Sequence, residues 1–280
     1  MSEQNDELTI RRILVALDAS RHSLAAMEAA AELAASMKAE LQGLFVEDVN
    51  LLRVAGSCVA REVSYPFGVT ARLDPARMER QLRAQAAQAR KALAAACEWR
   101  EIKWSFRVVR GEVAPEVLAA AEEADLLSLG KASRPLIRRM RLGSTALAAA
   151  VQAPRSVLLL QRDAIIRPPV VITYDGSPTA RQALMIAARL AQNKGGYLTV
   201  LSIADAPDIA QRLQSETSDL LRERRLLVRY RRLAGAGVAT LTQVVQAEGS
   251  GILVLSSTIL HLAKLQKLLY EVDCPVLLVR

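Results

Sequence analysis

Short apolar runs alternate with amphipathic stretches along the whole chain. In the first half, strands are expected over residues 13–17, 41–46, 103–109, 125–129 and 155–160. Between them lie segments with the spacing of helices. Leu24, Met27, Ala31 and Ala34 recur every three or four residues and mark one apolar face. Further helices are expected over 75–97, 113–123 and 144–152. Strands that read as near-continuous apolar runs and alternate with helices predict a parallel sheet covered on both faces.

The pattern then repeats. The stretch LDASRHSLAAMEAAAELA from Leu17 realigns with YDGSPTARQALMIAARLA from Tyr174 at a constant offset of 157 residues, matching Asp18 to Asp175 and Ser20 to Ser177. Each serine follows an apolar strand, 13–17 or 170–174, and is placed to accept hydrogen bonds from the first free amides of a helix. Pro178 reinforces the second start. Second strands follow at 41–46 and 198–203, after which the copies diverge. The first carries a long polar insertion over 48–74, placed to act as a lid or as an irregular loop; the second enters a helix near Pro207. For the second copy, a strand over 226–233 and a helix over 238–248 restore the order of the first, because a strand over 238–245 would leave too little chain for a parallel crossover. The copies close on SVLLL at Ser156 and PVLLV at Pro275, now offset by 119, so the second copy is 38 residues shorter. The expected division is a first domain over 1–161, a linker over 162–169 stiffened by Pro168 and Pro169, and a shorter second domain over 170–280.

Bulk properties narrow the class. The 280 residues are 51% hydrophobic, but in short runs broken by charge, and the first ten are polar and acidic. Neither a membrane span nor a secretory signal fits, and a cytoplasmic protein is expected. Cys58, Cys97 and Cys274 lack metal or redox spacing and are expected to be mostly buried thiols, with Cys58 the most exposed. His22 and His261 read as surface or satisfied polar residues and are too few for a zinc site or a histidine triad. The net charge of +8 favours anionic partners. Aromatics are only 4%, with no basic stretch interleaved among them, and the arginine run over 222–232 reads as a solvated helix end and edge strand. Nucleic acid is therefore not the favoured partner.

One segment carries recognisable chemistry: LSLGKASRPLIRRMRLGSTALAAA, from Leu127 to Ala150. An apolar strand is followed by a glycine, a basic loop and Gly-Ser-Thr opening a helix. Unpaired amides at a helix start suit an anion, Gly130 and Gly143 permit close approach to the backbone, and Ser144 and Thr145 add hydroxyls. Lys131, Arg134, Arg138, Arg139 and Arg141 place positive charge on the same loop. This segment resembles the G-x2-G-x9-G-[ST] loop of ATP-binding universal stress proteins, read here as Gly130, Ser133, Gly143 and Ser144. Ser133 stands where the motif has its middle glycine and puts a side chain near the phosphates.

The resemblance spans nearly the whole chain. It implies two tandem open five-stranded parallel sheets of Rossmann-like, adenine nucleotide alpha hydrolase-like type, with helices on both faces. It also implies a nucleotide site in the first copy. Asp18, with Ala16 and Leu17 beside it, would contact ribose or adenine, Val46 would meet adenine, and Leu129 and Gly130 would lead into the phosphate loop. ATP, with Mg2+ accompanying its phosphates, is the implied cofactor. In the second copy, Ser256 occupies the place of Gly130, and only 6 residues separate it from Leu262, against 13 between Gly130 and Gly143. No comparable site is expected there, and Asp175 reads as a turn residue. No catalytic residue is assigned; slow ATP hydrolysis or autophosphorylation is the most that is implied. An alternative stays open: a stress scaffold that binds no nucleotide and recognises a protein partner or an apolar small molecule. In many family members the last strand pairs antiparallel with a partner chain. Here the two terminal strands are expected to pair within one chain as a pseudo-dimer, leaving homodimerisation open.

Overall fold

The computed structural model describes residues 10–57, 61–64, 69–72, 74–131, 142–161, 165–235, 237–249 and 251–280. The first copy opens with β1 (Arg12–Leu17), α1 (Arg21–Met37), β2 (Glu40–Asp48) and α2 (Val49–Gly56). A small hairpin follows, β3 (Arg61–Ser64) and β4 (Val69–Arg72), and then α3 (Pro75–Glu98). Its remaining elements are β5 (Trp104–Gly111), α4 (Val113–Ala121), β6 (Leu126–Gly130), α5 (Ser144–Gln152) and β7 (Ser156–Leu160). The second copy runs β8 (Val170–Tyr174), α6 (Pro178–Asn193), β9 (Tyr197–Ile203), α7 (Pro207–Leu221), β10 (Leu227–Leu233), α8 (Val238–Ala247), β11 (Ile252–Ser256), α9 (Leu262–Glu271) and β12 (Val276–Val279).

Ten strands form one sheet in the order β10-β9-β8-β11-β12-β7-β6-β1-β2-β5. In this sheet every pairing within a copy is parallel, and its one antiparallel pairing joins β12 to β7, with Leu277 opposite Leu158. The expected pseudo-dimer is thus the architecture of the fold: SVLLL and PVLLV cover each other's edges. Burial follows from the strand period of two. Ile13, Val15 and Leu17 face one core with α1, α3, α6 and α7, whereas Leu14 faces a second core with α4, α5, α8 and α9. Each core draws residues from both copies.

Backbone groups at the junction are satisfied in a nearly symmetric way. Gln161 Nε2 donates to the Val272 carbonyl at the end of α9 (2.8 Å), and its positional counterpart Arg280 donates to the Ala150 carbonyl near the end of α5 (2.6 Å). Helix ends leave such carbonyls without intrahelical partners, so each copy caps a helix of the other. Lys194, at the C-cap of α6, pairs with Glu32 on α1.

Two expectations are corrected here. The insertion over 48–74 does not begin as a loop: Asp48 caps α2 by accepting from Asn50 N (2.8 Å), and Leu51 and Leu52 pack against the core beside α3. Cys58 and part of that insertion lie outside the described residues, while Cys97 and Cys274 are buried and in no disulfide, and burial pushes the Cys97 thiol up to about 11. His22 is not at the surface but 3% exposed, because the first turn of α1 settles onto Gly130. As expected, the arginines over 222–232 lie at the end of α7 and on the edge strand β10 and are mostly exposed, where Arg229 and Arg231 pair with Glu248, Arg222 pairs with Asp219, and Arg232 donates to the Asp205 carbonyl.

Candidate functional site

The carboxyl ends of β1, β2 and β6 meet the starts of α1, α4 and α5. β1 ends in Leu17 and turns through Asp18 and Ala19 into Ser20, which caps α1 by accepting from Ser23 N (3.2 Å). Asp18 Oδ1 accepts from Ser20 N (2.9 Å), and Ser23 Oγ returns to the turn by accepting from Asp18 N (3.3 Å) and donating to the Ser20 carbonyl (3.0 Å). Ala19 is held at φ +58°, where the second copy has Gly176 at φ +81°. A side chain in that region costs free energy that glycine avoids, so this turn carries strain only in the first copy.

Gly130, at the end of β6, is required by packing. A Cβ there would lie 2.9 Å from His22 Cβ and 3.0 Å from its carbonyl carbon. The space above Gly130 is therefore already occupied by α1. Gly143 is the N-cap of α5, with no side-chain hydrogen bond at that helix start, and its own amide donates to the Lys131 carbonyl (2.7 Å), closing the loop at its base.

Together these elements line one narrow cleft of about 80 Å3, walled by Ala16, Leu17, Asp18, Val46, Leu129, Gly130, Gly143 and Thr145. Those are eight of the ten residues singled out from the sequence. Ser144 is exposed and is not among the wall residues, because the first turn of α5 points it away; Ser133 lies outside the described residues. Sequence reasoning missed the apolar wall of Leu44, Val113 and Val117 and the hydroxyls of Ser20 and Ser23. Val113 and Val117 are four apart at the start of a helix that follows a strand, a signal available in the sequence but shared with ordinary core packing.

Lys131 departs from expectation most. Its ammonium does not face the cleft but crosses the junction, donating to the carbonyls of Val272 (3.0 Å) and Cys274 (3.1 Å). It is 5% exposed, and burial lowers its pKa to about 8, opposed by Cys274 and Asp273. Gln161, at the end of the first copy, shares the Val272 carbonyl with it (2.8 Å). Arg134, Arg138, Arg139 and Arg141 lie outside the described residues.

The corresponding corner of the second copy is tied up differently. Asp175 makes the same turn, accepting from Ser177 N (3.0 Å). Tyr174, in the place of Leu17, donates to Glu216 Oε1 (2.6 Å), which also accepts from Arg181 Nε (2.7 Å). Ser256 Oγ shares a hydrogen bond with Thr258 Oγ1 (2.7 Å), and α9 starts within a few residues.

The model of the universal stress protein family matches residues 9–161 and again residues 167–280. The chain belongs to the universal stress protein family. Among solved structures, a universal stress protein from Archaeoglobus fulgidus DSM 4304 aligns over 96% of this chain and 98% of its own, with a TM-score of 0.72 at 15% identity. A candidate universal stress protein from Pseudomonas aeruginosa UCBPP-PA14 aligns over 98% and 95%, with a TM-score of 0.62 at 16% identity. The cytoplasmic domain of a prokaryotic cation chloride cotransporter aligns over 96% and 95%, with a TM-score of 0.55 at 13% identity. At such identities the likeness is one of fold. No curated protein matches the chain in sequence. Among the described residues of this universal stress protein, no helix is long and apolar enough to cross a membrane, and no group of three or more His, Cys, Asp or Glu side chains could hold a metal ion.

Proposed function

We propose that the first module is a nucleotide-responsive unit that binds ATP or a related adenine nucleotide in this cleft, serving a regulatory or protective role in the cytoplasmic stress response. The observation that carries the reading is convergence. An apolar slot formed by Leu44, Val46, Val113 and Val117, an exposed carboxylate at Asp18, and an α5 start without a side-chain cap all open onto one cleft at the carboxyl ends of parallel strands. Open α/β sheets place ligands there. The slot suits the flat apolar faces of a purine, Asp18 a ribose hydroxyl, and the amides of the α5 start a phosphate.

The cleft volume sets a condition. About 80 Å3 is well below the roughly 300–1,000 Å3 of pockets that engulf a ligand. A nucleotide would therefore bury its base edge and leave ribose and phosphates along the mouth, between Asp18 and Thr145. Mg2+ would arrive with those phosphates, supplying charge neutralisation, since the module offers no metal cage of its own among the described residues.

Calorimetric titration with ATP and Mg2+ tests the reading, and absence of heat and affinity in the wild type sinks it. Gly143→Asp is the informative variant. Aspartate is a favourable N-cap, so α5 should keep or gain stability, while the added negative charge repels a phosphate. Affinity is expected to fall about tenfold or more with no loss of melting temperature. The two aspartate turns give a second test. Asp18→Ala and Asp175→Ala should each cost about 1 kcal/mol in denaturant unfolding through loss of the same turn hydrogen bond, but only Asp18→Ala should weaken ATP. Equal effects on affinity would reduce Asp18 to a turn residue.

A further inference from the structure

Outside the nucleotide cleft, the two most exposed large apolar side chains among the described residues converge on one place. Trp99, at the end of α3, is 72% exposed, and Ile165, in the connection between the copies, is 70% exposed. Both line a groove of about 810 Å3 between α1 and α3, whose other apolar walls include Leu24, Met27, Ala92 and Ala95. Two exposed apolar side chains meeting in one groove make it a candidate contact surface.

The aromatic wall is held in place. Arg100 lies over the Trp99 ring, 4.2 Å from its centre, and is itself fixed by donating to the Ala96 carbonyl (2.7 Å) and to Glu28 Oε2 (3.0 Å). A ring fixed before a ligand arrives loses little freedom on binding. Ala92, Ala95 and Ala96 continue the Trp99 face of α3 with small side chains.

Charge selects the occupant. Two charged residues line the groove. Glu28 is neutralised by Arg100, whereas Arg21 has no ion pair among the described residues. Arg21 is also the first residue of α1, where the positive end of the helix dipole disfavours a cation and favours an anion. An apolar trough of small-molecule capacity with an unneutralised positive end fits an amphiphile with an anionic head.

We propose that the α1/α3 groove binds one soluble long-chain carboxylate, its alkyl chain lying on Trp99, Ile165, Leu24 and Met27 and its carboxylate on Arg21. The site is separate from the nucleotide cleft and does not rest on that reading.

The test uses the full chain and dodecanoate below its micellar concentration, with dodecanol as the uncharged control. Calorimetry measures affinity, and Trp99 fluorescence follows occupancy in a Trp104→Phe background, which leaves Trp99 the only tryptophan. Saturable one-to-one binding is expected, with the acid preferred over the alcohol by about tenfold. Arg21→Gln should abolish that preference. Ile165→Ser should weaken both ligands about fivefold or more with an unchanged melting temperature, because Ile165 is exposed. Gly143→Asp should leave dodecanoate affinity unaltered. The proposal is overturned by absence of saturable binding, by equal affinity for acid and alcohol, by indifference to Arg21→Gln and Ile165→Ser, or by loss of binding in Gly143→Asp. Association with phosphatidylglycerol vesicles but not with monomeric acid would equally overturn it, making the groove a membrane contact instead.

Discussion

Replacing Gly251 with alanine is expected to destabilise the protein by about 3 kcal/mol or more, at the upper end of the cost of overpacking a core. Gly251 immediately precedes β11, and a Cβ there would sit 1.6 Å from the Arg167 carbonyl oxygen and 2.3 Å from its carbonyl carbon. Both atoms belong to backbone, so no side-chain rotation relieves the clash. The two segments are also pinned together, since Gly251 N donates to the Pro169 carbonyl (3.0 Å) just before Val170 pairs with Ile252. Relief must therefore move either the connection between the copies or the start of β11, and with it the pairing of β8 with β11. Urea unfolding measures the loss. Gly249→Ala is the control: its φ is +61° with nothing within 4 Å of an added Cβ, so only the conformational cost of about 1 kcal/mol should appear. Equal losses in the two variants would show that Gly251 is not held by close packing.

Replacing Lys131 with methionine should change the sign of its effect on stability as pH rises. An unfolded lysine keeps its proton to about pH 10.5, whereas folded Lys131 loses it near 8, so between those values the unfolded chain binds more protons and wild-type stability rises with pH. A lowering of this size corresponds to roughly 3 kcal/mol of cost in keeping the ammonium buried below pH 8. Methionine removes that cost but leaves the Cys274 carbonyl without its lysine donor, worth about 1 kcal/mol. At pH 7 the variant should then be more stable by about 2 kcal/mol, an advantage that shrinks above pH 8 and disappears or reverses by pH 10. The groups facing the ammonium are Asp273 and the Cys274 thiol, together with the uncharged Gln161 amide on the shared Val272 carbonyl. Denaturant unfolding of both proteins across pH 7–10 measures the difference for Lys131 together with the Cys274 thiol coupled to it, because titrating groups remote from the site cancel. A difference that stays flat would show that Lys131 is not buried as an ammonium.

The two cases show where sequence reading stops. The order of strands and helices, the serine caps of α1 and α6 and the duplication are local or periodic properties, recorded every two or every three to four residues. The antiparallel closure of SVLLL on PVLLV was expected from the family resemblance, the repeat supplying two apolar terminal strands whose edges need covering. Most of the cleft residues were named in advance because the family resemblance assigns them to strand ends and helix starts, which the alternating pattern locates. The direction of Lys131 was not. Its position in a basic loop suggested a role toward phosphate, yet its partners are carbonyls more than a hundred residues away.

Gly130 illustrates the same division within one residue. Its place between strand and loop was read correctly, but the atoms that require it to be glycine belong to His22. The short apolar run containing Leu44 and the helix start at Val113 gave no sign that they share a wall. Trp99 and Ile165 lie far apart in the chain and meet only because the connection between the copies passes over α1 and α3.

By itself, the sequence determined two α/β modules, their unequal lengths and the candidate nucleotide corner, because hydrophobic period, caps and glycine placement act over a few residues. Only the tertiary structure decided that the modules share two continuous cores, that Lys131 joins the second module rather than the cleft, and that an apolar groove lies open beside Arg21. Those features depend on which distant backbones come within a few ångströms, and no local pattern encodes that distance.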